Sequence, residues 1–180
     1  MDSILIVCYS YTGNSRRVAE TLAAQRGWPL GEVTDAAARR GALRCVLDSL
    51  LRRKPPVNYR GPDPANYRTV VLVSPIWAYR LAGPMRAFVA EHRGDLRRVA
   101  VISTMGSAGA SNAVAEVAQM LGRAPVLAAA FTAREIADGS CTSRLLEFSE
   151  DLLPGSAQRQ KPHPSVWQPQ HQRSLPPRTR

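Results

Sequence analysis

"ILIVCYSYTGNSRRVAETLA", Ile4 to Ala23, decides how the chain is read. Its first residues are apolar and β-branched without a break, as in a strand buried on both faces. From Gly13 the pattern becomes that of a helix, expected over Gly13 to Arg26. Between the two lies "SYTGNS", Ser10 to Ser15, with four hydroxyl side chains and a glycine. A strand that breaks into hydroxyls and resumes at once as a helix has to be explained by a ligand or by a cap.

Outward from this stretch, apolar runs bounded by turn signals alternate with segments of helical period. Strands are expected at Ser3 to Cys8, Pro29 to Val33, Thr69 to Ser74, Val99 to Ser103 and Pro125 to Phe131. Further helices are expected at Ala37 to Arg53, Leu81 to Glu91, Ala110 to Leu121 and Cys141 to Leu152. A β-α unit repeated five times specifies an α/β fold: a doubly wound parallel sheet with right-handed crossovers and helices on both faces. "KPPVNYRGPDPANY", Lys54 to Tyr67, reads as a surface connection.

In such sheets ligands bind beyond the carboxyl ends of the strands, where "SYTGNS" falls. A helix starting near Gly13 offers unpaired N–H groups and a partial positive charge. Ser10, Thr12 and Ser15 add hydroxyl donors, and Gly13 permits close backbone approach. A phosphate fits these demands. The plainer alternative is that Ser10, Thr12 and Asn14 cap the helix. Neither G-x-G-x-x-G nor G-x-x-x-x-G-K-[ST] is present, so the dinucleotide and P-loop fingerprints are excluded. A phosphatase loop of the C-x5-R kind is excluded by spacing, since seven residues separate Cys8 from Arg16; Cys8 continues the Ile4, Ile6 alternation and belongs to the core.

At 180 residues the chain has the length of one domain, expected over residues 1–153. No run approaches the roughly 18 apolar residues of a membrane span, and no signal-peptide pattern opens the chain, so a cytoplasmic protein is expected. Cys8, Cys45 and Cys141 are odd in number and widely spaced, indicating neither a disulfide framework nor a metal site. The net charge is +10, yet residues 154–180 hold five basic residues and no acid, leaving 19 basic against 14 acidic residues in the body. That Pro-, Gln- and Arg-rich tail is expected to be disordered, and its scattered charges with the single Trp167 give only a weak nucleic-acid signal.

Two motifs carry a resemblance. "SYTGNS" resembles the [ST]-x-T-G-x-[ST] phosphate loop of flavodoxins, and "SPIWAYRLAGPMRAFV", Ser74 to Val89, resembles the P-[IV]-W segment after the third strand of flavodoxin-like FMN-binding proteins. The resemblance spans about residues 3–153. It implies a flavodoxin-like sheet of order 2-1-3-4-5 and an FMN cofactor. The phosphate would lie on Ser10, Tyr11, Thr12, Gly13, Asn14 and Ser15, and the ring between Pro75, Ile76, Trp77, Ala78, Tyr79 and Thr104, Met105, Gly106, Ser107. An aromatic at Trp77 and Tyr79 suits a planar ring, although a rim aromatic needs no ligand.

The third loop, "STMGSAGAS" (Ser103 to Ser111), lacks the aromatic of the best-known flavodoxins and is similar to the Thr-x-Gly-[Ser/Gly] loop of flavodoxin-like reductases. Arg16, Arg17, Arg80 and Arg86 are candidates to ring the site, against the plainer reading of solvated arginines. The resemblance implies an electron-transfer protein serving a redox partner or a small acceptor such as a quinone, with no catalytic side chain. One alternative is an NAD(P)H-dependent quinone reductase; the other is a flavin-free binding protein on the same frame.

Overall fold

The first strand shows both faces of the sheet at once. In the computed structural model, which describes residues 3–36, 51, 53–106 and 108–153, β1 (Ile4–Tyr9) is buried along its whole length. Leu5, Val7 and Tyr9 enter one apolar cluster, and Ile4, Ile6 and Cys8 enter the other. That split follows from the two-residue period of a strand.

Five strands were expected and all five form, as β1, β2 (Leu30–Asp35), β4 (Thr69–Trp77), β6 (Val99–Met105) and β7 (Leu127–Thr132). They run parallel in the order β2-β1-β4-β6-β7, the expected 2-1-3-4-5 arrangement. Among the described residues two further strands form. β3 (Val57–Arg60) pairs antiparallel with β2 at the sheet edge, so the expected surface connection is corrected there to a strand. Packing explains it: Gly31 of β2 leaves room for the ring of Tyr59, whose hydroxyl a Cβ at that position would meet at 2.2 Å. β5 (Arg80–Leu81) folds back on the end of β4.

One face carries α1 (Asn14–Arg26), α4 (Ala133–Asp138) and α5 (Cys141–Asp151), seated by Val18, Leu22, Ile136, Leu145 and Phe148. The other carries α2 (Gly83–Glu91) and α3 (Ala110–Leu121), seated by Met85, Phe88, Val114 and Val117. Burying each of these larger side chains stabilises the fold by about 1.5–3 kcal/mol. The expected helix over Ala37 to Arg53 and the tail at 154–180 lie outside the described residues, apart from Leu51 in a turn and Arg53, which is not helical.

Candidate functional site

β1, β4 and β6 are adjacent and parallel, so their carboxyl ends deliver Ser10–Ser15, Pro75–Tyr79 and Thr104–Met105 to one edge of the sheet. In the first loop the N-cap of α1 is Gly13, at φ 97, and no side chain caps the helix. The capping explanation of the hydroxyls is thereby corrected. Ser10 Oγ accepts the N–H of Gly13 at 3.1 Å, and the first intrahelical bond in this turn is from Arg17 N to Gly13 O. Asn14, Ser15 and Arg16 thus present main-chain N–H groups with no acceptor inside the helix. No acidic residue occupies that first turn to satisfy them. The donor chemistry fits a phosphate.

Ser15 also links two of the loops. It is buried, and its Oγ lies 2.7 Å from Oγ1 of the equally buried Thr104, joining the first loop to the third. Thr12 and Tyr11, by contrast, are exposed. Arg16 pairs with Glu32 across the surface, and Arg17 is exposed. Burial pushes the Cys8 thiol up to about 12, which leaves it protonated and a poor nucleophile.

The second loop is a continuation of strand. Pro75 and Ile76 stay in β4, and Pro75 pairs with Thr104 of β6 alone, beyond the point where β1 pairing ends at Val73. Its missing N–H removes no bond to β1 there. Trp77 then meets Tyr11 edge-to-face at 5.5 Å and Tyr9 at 5.8 Å, while Tyr9 donates its hydroxyl to Asp35 at 3.1 Å. The indole orientation is therefore set within the chain. Ala78 and Tyr79 follow at φ 48 and 61, both left-handed, between the paired Trp77 and Arg80. This is a two-residue hairpin turn of the type that favours Asn-Gly. Tyr79 is 61% exposed.

In the third loop Met105 packs partly on the core and Gly106 is exposed, while Ser107 lies outside the described residues. Gly109, at φ 110, caps α3 and lies so close to the hairpin that a Cβ would meet Tyr79 Cα at 2.8 Å. The three loops are accordingly joined in every pairing: first to third by Ser15 and Thr104, first to second by Tyr11 and Trp77, second to third by Tyr79 and Gly109. An open groove of about 570 Å³ lies between the hairpin turn and α3, lined by Ala78, Tyr79 and Arg80 on one side and Asn112, Ala115, Glu116 and Gln119 on the other.

Sequence reasoning placed Arg86 near the ligand, and the structure moves it into the core. It is 2% exposed and bonds Glu116 at 2.5 Å. Glu116 was not singled out, although its signal exists: it falls at the i, i+3, i+4 spacing of Ala113, Glu116 and Val117, all three of which are buried.

No family model and no curated protein matches the sequence. Solved structures do match the fold. A flavoprotein of Lactobacillus acidophilus NCFM, crystallised in complex with FMN, is 19% identical, covers 78% of this chain and 99% of its own, and superposes with a TM-score of 0.63. A flavodoxin, WrbA-like protein from Agrobacterium tumefaciens is 11% identical, covering 83% of this chain and 94% of its own, at a TM-score of 0.54. The Trp repressor binding protein of Bacillus subtilis is also 11% identical, covering 84% and 99%, at 0.52. These identities speak for backbone architecture, and with the strand order and crossovers above they give the chain the flavodoxin-like fold.

Proposed function

We propose that the chain binds FMN across the three loops and passes electrons to a redox partner or small acceptor. The observation that supports this reading best is the convergence of an uncapped helix start, an aromatic hairpin and a small-residue loop at one sheet edge, each braced against the other two. The main-chain N–H groups of Asn14, Ser15 and Arg16, with the hydroxyls of Ser10 and Thr12, hold the phosphate. Pro75 to Tyr79 flank the ring on one side, and Thr104 to Gly106 on the other. The flavin supplies one- and two-electron chemistry, and the chain supplies binding, orientation and local polarity. No side chain is assigned as acid, base or nucleophile. The FMN complex of the Lactobacillus flavoprotein supports the choice of ligand.

The test is the visible spectrum of the purified protein, before and after adding FMN and desalting. A retained, perturbed flavin spectrum is expected. A folded protein that stays colourless would remove the electron-transfer reading in favour of a flavin-free binding protein. The Ser10→Ala/Thr12→Ala variant is expected to stay folded and lose about 3 kcal/mol of FMN binding, roughly 100-fold in affinity. Unchanged affinity would overturn the phosphate assignment.

A second reading, an NAD(P)H-dependent quinone reductase, is favoured by the third loop, where Thr104, Met105 and Gly106 present no aromatic to cover a ring. A hydride donor could then stack directly on the flavin. Steady oxidation of reduced nicotinamide with a quinone would support it; no turnover with several quinones would count against it.

A further inference from the structure

The turn at Ala78 and Tyr79 is a conformation its own sequence does not favour. Two consecutive left-handed residues call for glycine or asparagine, and neither is present. The strand that closes the turn is only two residues long, with Trp77 opposite Arg80 and Ile76 opposite Leu81. In a two-residue hairpin the pair next to the turn exchanges the main-chain bonds, so the N–H and C=O of Leu81 face away from β4. Both are met from below by one buried ion pair. Glu116 accepts the Leu81 N–H on Oε2 at 3.3 Å and Arg86 Nε on Oε1 at 2.5 Å. Arg86 donates from Nη2 to the Leu81 carbonyl at 2.8 Å and from Nη1 to the Arg53 carbonyl at 3.0 Å. The pair is 2% and 7% exposed and draws on α2 and α3.

We propose that Arg86 and Glu116 are positioning residues for the ligand site: their buried pair clamps both main-chain polar groups of Leu81 and so holds the left-handed turn that presents Trp77 and Tyr79. The ligand part of this inference rests on the flavin reading; the clamp is measurable without it. A buried ion pair can often be exchanged for apolar residues of similar volume with no loss of stability. Apolar side chains cannot replace the two hydrogen bonds to Leu81. That difference separates a clamp from a pair that merely fills the core.

The experiment uses the full chain and two variants. Arg86→Met/Glu116→Leu keeps volume and removes both buried charges together; Arg86→Leu/Glu116→Met, which also removes both and divides the apolar volume differently, serves should the first fail to fold. In the flavin-free protein the Leu81 amide is expected to exchange at least about tenfold faster than in the parent. Affinities for FMN and for riboflavin are expected to fall by the same factor, about tenfold, because the ring side is loosened and the phosphate loop is untouched. Adding Ala78→Gly, which takes a left-handed φ without steric cost, is expected to restore part of that affinity. Parental Leu81 protection, or a loss of flavin affinity that Ala78→Gly does not recover, would overturn the clamp. Should the parent bind neither flavin, the functional reading fails, and amide exchange still decides the clamp.

Discussion

Ser15 shows how the side chain of a first-loop residue can matter through the frame that holds the loop. Its hydroxyl and that of Thr104 satisfy each other at 2.7 Å in a site closed to water. Ser15→Ala leaves Thr104 buried with one partner fewer, and should cost about 1–3 kcal/mol in the urea denaturation of the flavin-free protein. A change within a few tenths would mean that the two hydroxyls find other partners. Ala78 is the opposite case, a residue held against its preference. Ala78→Gly relieves a φ of 48 that alanine adopts at a cost. The variant should gain up to about 1 kcal/mol, since glycine's greater unfolded-state freedom offsets part of the relief. A clear loss in the same denaturation assay would show that the methyl group has a packing role.

Among the elements, helix starts differ in how their N–H groups are met. α1 and α3 begin on left-handed glycines without a side-chain cap, whereas α4 has a full capping box, Thr132 with Glu135. The N–H of Thr132 at 2.7 Å, with its hydroxyl and Arg144, holds the Glu135 carboxyl below its ordinary value of 4.5. A depressed carboxyl stabilises the fold above that value and loses the contribution as pH falls through its folded value. Glu135→Gln should therefore be less stable than the parent at neutral pH, by under about 1 kcal/mol for so exposed a group, with the gap closing in acid. Denaturation midpoints across pH give the check; a gap that widened in acid would contradict it. Long periodic elements were legible in the sequence because burial on both faces leaves uninterrupted apolar runs: β1, β4 and β6 ended within three residues of expectation. β3, β5 and α4 were not legible. Two are four residues or fewer, α4 has six, and β3 is fixed by Tyr59 lying over Gly31, a contact between distant segments.

At the scale of the molecule, the sheet order brings loops far apart in sequence to one edge, and the order of the motifs along the chain already implies it. What the motifs could not announce is how the loops are held. Arg86 looked like a surface charge near a ligand because arginine usually is one, and its partner Glu116 lies 30 residues away on another helix. The +10 charge was legible only as composition, half of it falling in residues 154–180. The three-way bracing of the loops also bears on protein engineering. A frame whose loops each lean on the other two is not modular: a loop transplanted alone from another member of the fold would arrive without two of its supports. Redesign of specificity on this scaffold would have to exchange the segments as a set, or confine itself to outward-facing positions such as Thr12 and Tyr79 that brace nothing through their side chains.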